Sequence, residues 1–299
     1  MAHRLRGAAV LNKGRSDYPD RRSFGEMQLE ESTIGQDAGM LEAVIAAVRA
    51  VAAAEVMPRF LNVAHQRKPD GSLFTAADLA AQDALAQALH EIAPVPVVGE
   101  EMTQAQQVER QLAGHAALWC VDPIDGTSNF VYGVPYFAVS VALVTHGRSE
   151  LGVVYHPMAD EMFYARRGQG AFLNGVRLPL RNAVRRMRGA IAGIDFKRIP
   201  PRLACALAST PPYSSQRNFG AGTLDWCYVA SGRFDLYLHG GQKFWDYAAG
   251  SLILEEAGGS ISSLTHDDFG SDDLWQRSVI AGRDTELFTQ WRAWVRSHL

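Results

Sequence analysis

The hydrophobic and polar positions of this chain fall into blocks of helical and alternating periodicity. Residues 1 to 36 lie outside that pattern: they are rich in Arg, Asp and Gly and read as a poorly ordered N-terminal extension. From Gly39 to Ala64 an alanine-rich amphipathic repeat predicts a long first helix. The stretch from Arg67 to Leu73 is a turn by composition. Thr75-Ala-Ala-Asp78 then fits a capping box, with Asp where Glu is usual, and opens a second helix to about Ile92. Val95 to Val98 reads as a short buried strand ending at Gly99-Glu100-Glu101, followed by a charged helical stretch from Gln104 to Leu112.

An apolar strand follows from Ala117 to Val121, and Tyr136 to Val144 with Leu151 to Tyr155 reads as a hairpin turning at His146-Gly147. Further strands are predicted at Met162 to Ala165, Ala190 to Phe196 and Phe234 to Leu238. Helices are predicted at Leu224 to Ser231, Tyr247 to Ala257 and Thr285 to Trp294. Hairpins interrupted by helices imply a layered α+β architecture with mostly antiparallel sheets, and residues 37–299 read as one catalytic domain.

Composition narrows the function classes. The chain has 299 residues, 47% hydrophobic and 20% charged, enough for a substantial core. A net charge of −3 gives no electrostatic case for nucleic-acid binding. The four arginines between Arg181 and Arg188 read as a solvated connection. Cys120, Cys205 and Cys227 are scattered without paired spacing, which argues against a zinc site or a disulfide framework. No stretch has the length and apolarity of a membrane span, and the N-terminus lacks a signal-peptide core, so the cytoplasm is the expected location.

The chemistry concentrates where the Ala117 strand ends. Asp122 and Asp125 are separated by Pro123-Ile124 and followed at once by Gly126, Thr127 and Ser128. Proline and glycine enforce a tight turn, so both carboxylates are expected close together. Paired anions shift one another's pKa unless a hard cation neutralises them. The amides of Gly126 and Thr127 would then stand where a phosphate is bound. Glu100-Glu101 and Asp246 also lie where a predicted strand or loop ends. Taken alone, the first suits a solvated loop and the second a helix N-cap. Carboxylates meeting from separate segments supply the all-oxygen site that Mg²⁺ prefers.

The order of these motifs resembles the inositol monophosphatase family: Gly99-Glu100-Glu101, then Val121-Asp-Pro-Ile-Asp-Gly-Thr-Ser-Asn-Phe130, then Trp245-Asp-Tyr-Ala-Ala-Gly250 with Gly258-Gly259 beyond. The resemblance covers roughly residues 38 to 296. It implies an αβαβα layered sandwich, Mg²⁺ dependence, lithium inhibition and a homodimer. It also implies that Glu100, Asp122, the carbonyl of Ile124, Asp125 and Asp246 hold metal. Thr127 and Glu100 would orient the attacking water, and Asp78 would support the site from behind.

Substrate choice stays open at this level. A small polyol or sugar-like phosphate ester is implied, with inositol monophosphate first. Histidinol phosphate and an adenosine bisphosphate are the alternatives within the family, and a non-catalytic binding protein is the reading from another class. Inositol-specific relatives carry a glutamate seven residues before the Trp-Asp aspartate; here that position is His239, either facing substrate or packed in its loop. Gly222 aligns with a small residue bordering the substrate pocket. Arg217, just upstream, either faces the substrate or caps a strand edge. Lys68 would turn a positive charge toward the phosphate or lie in solvent.

Overall fold

The computed structural model describes residues 38–62, 64–67, 73–103, 105–107, 109, 116–182, 184 and 186–299. The expectations for residues 1 to 36 and for Lys68 lie outside these, as does part of the predicted helix from Gln104 to Leu112. Helix α1 (Ala38–Val51) passes into a π-helical turn (Ala52–Val56) and a 3-10 turn (Met57–Arg59). The helix therefore stops before the predicted Ala64. Pro58 supplies no N–H to continue the ladder, and Phe60 leaves helical geometry to pack, tilted, against Phe130 and Phe137 with ring centroids 5.5 and 5.1 Å away.

Short strands β1 (His65–Arg67) and β2 (Leu73–Thr75) pair antiparallel and lead into α2 (Ala76–Ile92). The predicted capping box is present: Thr75 Oγ1 accepts from the Ala77 amide, and Asp78 Oδ2 accepts from the Thr75 amide at 2.7 Å. A seven-stranded sheet follows, with strand order β3 to β9 as in sequence. It comprises β3 (Val97–Gly99), β4 (Ala117–Asp125), β5 (Ala138–Thr145), β6 (Arg148–His156), β7 (Glu161–Arg166), β8 (Gly170–Leu173) and β9 (Val176–Arg177). Only β3 and β4 run parallel; every later pair is antiparallel. His146 and Gly147, both at positive φ, make the predicted hairpin turn between β5 and β6. A short helix α3 (Thr127–Tyr132) sits between β4 and β5.

The second sheet has five strands in the order β11-β10-β12-β14-β13. They are β10 (Ile191–Asp195), β11 (Ser215–Arg217), β12 (Leu236–Lys243), β13 (Ser260–Ser262) and β14 (Gln276–Gly282), with β10 parallel to both its neighbours. Its helices are α4 (Pro201–Ser209), α5 (Gly222–Ser231), α6 (Phe244–Glu256) and α7 (Thr285–Ser297). Helix α6 begins before the predicted Tyr247, so Asp246 lies in its first turn and is not the cap.

These elements stack as the expected αβαβα sandwich. Helices α1 and α2 cover one face of the large sheet, α5 and α6 fill the space between the sheets, and α4 and α7 cover the small sheet's outer face. Strand β5 is accordingly buried on both faces from Ala138 to Val144, which is why it reads as a continuous apolar run. Two glycines set the depth of α6. A Cβ on Gly152 of β6 would stand 2.9 Å from the Ala249 carbonyl, and one on Gly250 would stand 2.5 Å from Trp226 Cβ. Gly250→Val is therefore expected to destabilise the fold by about 2 kcal/mol, as overpacked cores do. Urea unfolding should show a lower midpoint with an unchanged slope; an unchanged midpoint would contradict this packing.

Candidate active site

Uninterrupted strands send residues of opposite parity to opposite faces, which would separate Asp122 from Asp125. The register corrects this. Asp122 pairs with Ser140 and Asp125 with Ala138, so three steps along β4 match two along β5. The extra residue is a β-bulge at Pro123-Ile124, and it returns both aspartates to one face. Asp122 Oδ1 accepts from the Ile124 amide at 3.1 Å, closing the bulge on itself. Gly126 follows at φ 87°, with Ala221 Cβ and the Tyr136 carbonyl 3.1 Å from where its Cβ would be. Only glycine fits that turn, and α3 starts from it.

Neighbouring elements deliver the other groups. The Glu100 amide donates to the Val121 carbonyl, extending the β3–β4 ladder and setting Glu100 beside Asp122. Gln82 of α2 fixes this corner by accepting from the Glu101 amide at 2.9 Å. Asp78 is fully buried in the first turn of α2, and the Thr127 hydroxyl stands 3.3 Å from its Oδ1 and 3.0 Å from the Ile124 carbonyl. Asp246 Oδ2 accepts from the Lys243 amide at 2.8 Å. Asp125 Oδ2 accepts from both the amide and the hydroxyl of Thr223, at 2.7 and 2.6 Å.

The carboxylates feel one another strongly. Burial raises the pKa of Asp122 well above its ordinary value, and the charges of Glu100, Asp125, Asp246 and Asp78 raise it further. Burial takes Asp125 up to about 6, although the Thr223 and Gly222 donors oppose it. Asp246 is raised by burial and by Asp125 and Glu100, against the Lys243 amide and the Arg198 charge. Cys120, buried in β4 as expected of a small hydrophobe, is raised by burial and by the same aspartates.

Among the described residues no three His, Cys, Asp or Glu side chains close into a ready ligand cage. Each of the three aspartates turns one oxygen onto a backbone amide. No such bond engages Asp122 Oδ2 or Asp246 Oδ1 among the described residues. Oxygen donors from separate elements, mutually repelling and partly open to solvent at Asp125 and Asp246, suit a hard divalent cation.

The remaining candidates divide. Gly126, Thr127 and Gly222 lie at this centre, Gly222 through its neighbour Thr223, and Ser128 is exposed on α3. His239 is packed in β12. Its Nδ1 accepts from the Gly241 amide at 3.0 Å, and its Nε2 lies 3.4 Å from Asp195 Oδ2. Arg217 bonds Ser215 and Gln216 on the edge strand β11. A cavity of about 550 Å³ lies elsewhere, along the Phe244, Tyr247, Ser251 and Glu255 stripe of α6, and Asp122, Asp125 and Asp246 do not line it. Sequence reasoning missed Thr223 and the buried Asp225, which accepts from the Tyr136 hydroxyl at 3.2 Å. The small Gly222 next door was the one local signal.

Residues 36–298 match the sequence profile of the inositol monophosphatase family. The chain belongs to that family. Among its relatives, "Nus factor SuhB" of Pseudomonas aeruginosa is 36% identical over 75% of this chain and 83% of its own length. "Inositol-1-monophosphatase" of Mesorhizobium japonicum is 35% identical over the same shares. The solved IMPase of Thermotoga maritima superposes with a TM-score of 0.74 at 27% identity, covering 87% of this chain and 97% of its own. Among the described residues of this inositol monophosphatase family member, no helix is long and apolar enough to cross a membrane.

The raised carboxylates set a pH dependence. Between the ordinary 3.8 and about 6 at Asp125, the folded chain binds more protons than the unfolded chain. Stability without divalent cations therefore falls as pH rises through that window. Adding Mg²⁺ should raise the melting temperature more at pH 8 than at pH 5. Thermal unfolding in chelator and in excess Mg²⁺ checks this, and equal increments at both pH values would contradict it.

Proposed function

We propose that this chain is an Mg²⁺-dependent phosphomonoesterase acting on a small polyol or sugar-like phosphate, with inositol monophosphate the first reference substrate. The observation that carries the reading is the meeting of Asp122, Asp125, Asp246 and Glu100 beside the turn that starts α3. Glu100, Asp122, the Ile124 carbonyl, Asp125 and Asp246 would hold the cation. Bound there, Mg²⁺ supplies charge neutralisation and an activated water for attack on phosphorus.

The chain's own groups do the rest. Thr127 holds its hydroxyl between Asp78 and the Ile124 carbonyl, a position suited to orienting the attacking water with Glu100. Asp78 is anchored by both the amide and the hydroxyl of Thr75, so it can receive that hydrogen bond without moving. The Gly126 and Thr127 amides, at the turn that starts α3, would bind phosphate oxygens. Thr223 fixes Asp125 with two short bonds, holding its charge in place as the ester arrives. Lithium inhibition, a cytoplasmic location and a homodimer belong to the same proposal through the family.

The relatives named as Nus factors support a second reading, in which the chain also docks on another macromolecule. Catalysis is favoured because crowded buried carboxylates are costly to a pure scaffold.

The test is phosphate release with Mg²⁺ from inositol 1-phosphate, histidinol phosphate and adenosine 3′,5′-bisphosphate, each with and without lithium. Asp122→Asn should abolish turnover while leaving the fold intact, since it removes a repelling charge. Wild-type activity in a folded Asp122→Asn variant would sink the metal assignment.

A further inference from the structure

The cavity along α6 takes no part in the hydrolysis proposed above. Phe244, Tyr247, Ser251 and Glu255 recur every three or four residues, so they form one stripe down a single face of the helix. The other walls include Arg148 at the start of β6, Arg277 of β14 and Phe269 of the 3-10 turn Phe269–Ser271. A volume of about 550 Å³ lies within the range that accommodates a small organic ligand.

Arg277 is firmly held there and still has a donor unused. The residue is 8% exposed, and its guanidinium carbon lies 5.0 Å from the ring centres of both Tyr247 and Phe269. Those two rings meet edge to face with centroids 5.3 Å apart. Nε donates to the Asp273 carbonyl at 3.2 Å, and Nη2 reaches the Asp272 carbonyl at 3.5 Å. Nη1 has no hydrogen-bond partner among the described residues and is not sealed from solvent. Ser251, also 8% exposed, keeps its hydroxyl unbonded and unsealed among the described residues in the same way. A helical serine usually bonds back onto the preceding turn, so this hydroxyl is available to an occupant.

The acids around the cavity are already engaged. Glu255 pairs with Arg167 at 3.3 Å, and Asp267 pairs with Arg292 and Arg296. Asp268 accepts from the Gly270 amide and the Ser271 hydroxyl; it feels the charge of Arg277 without pairing with it. Arg148 is exposed and forms no ion pair among the described residues. The charge left uncompensated is therefore positive, and it stands beside the rings of Phe244 and Tyr247. A buried guanidinium with a free donor, a free hydroxyl and an aromatic wall suit an anionic head on an apolar body.

We propose that this cavity is a second ligand site, for a small molecule that joins a carboxylate or phosphate-type head to an aromatic body. The head would meet Arg277 Nη1 and Ser251 Oγ, with Arg148 adding charge from its exposed position, and the body would lie along Phe244 and Tyr247. The site is independent of the hydrolytic reading, and its test requires no turnover.

The experiment is calorimetric titration of the full chain in chelator, where the crowded carboxylates of the hydrolytic centre repel anions. Phenylphosphonate and benzoate are the probes; methylphosphonate supplies the head alone and benzamide a neutral body. At least one probe should bind about tenfold more tightly than either control, and the tighter probe identifies the head group. Arg277→Gln should weaken it by about tenfold, the size of one charge-assisted contact. Ser251→Leu, which fills the cavity from the helix, should abolish binding. Arg148→Glu should weaken it by about threefold, as should added salt.

Thermal unfolding checks that each variant is folded, and the exposed Arg148→Glu decides the matter if the two buried variants are not. No binding of either probe, controls that bind as tightly as the probes, or an affinity unchanged in the folded variants would overturn the site.

Discussion

Mutual repulsion among buried carboxylates is the constraint around which this protein is arranged. Burial raises the pKa of Asp122, Asp125 and Asp246, and neighbouring carboxylates add to it: Glu100 acts on all three, Asp125 on Asp122 and Asp246, and Asp246 and Asp78 on Asp122. Left to themselves such groups would turn apart into solvent. The fold answers by holding each with donors from its own backbone: Ile124 for Asp122, Thr223 for Asp125, Lys243 for Asp246 and Thr75 for Asp78. Each of these bonds favours the charged form, opposing the burial that disfavours it.

The layered architecture is what allows so many donors to converge. Asp78 comes from the outer helices, Glu100 and the aspartate pair from the large sheet, and Thr223 and Asp246 from the central helices. Gly152 and Gly250 let α6 settle between the large sheet and α5, which sets the height at which Asp246 faces β4. The buried Gln242 ties the small sheet to the same layer, accepting from Trp226 Nε1 at 2.9 Å and donating to the Tyr237 hydroxyl at 2.8 Å.

Local chemistry was legible and distant pairing was not. Pro123, Ile124 and Gly126 announce a turn between two aspartates because the bulge and the positive φ are properties of those few residues. Thr75 and Asp78 announce a cap for the same reason. Nothing in the sequence joins Thr223 to Asp125, since a separation of 98 residues is closed only by the packing of α5 against the large sheet. His239 had two readings until β10 and β12 brought Asp195 opposite it. Strand β8 and the edge strands β9 and β11 are too short to show periodicity. Helix α1 ended early because Pro58 outweighs the alanine pattern around it, and α6 began early because Asp246 accepts from Lys243 from inside the first turn.

The spread of these residues along the chain has a consequence for synthesis on the ribosome. Asp78 and Thr75 leave early, the aspartate pair follows, and Asp246 arrives only when most of the polypeptide has been made. A nascent chain stopped before α6 would carry Asp122 and Asp125 without the last carboxylate and without the helix that covers them. The full set of carboxylates, on this arrangement, is assembled late and all at once, when the central helical layer closes.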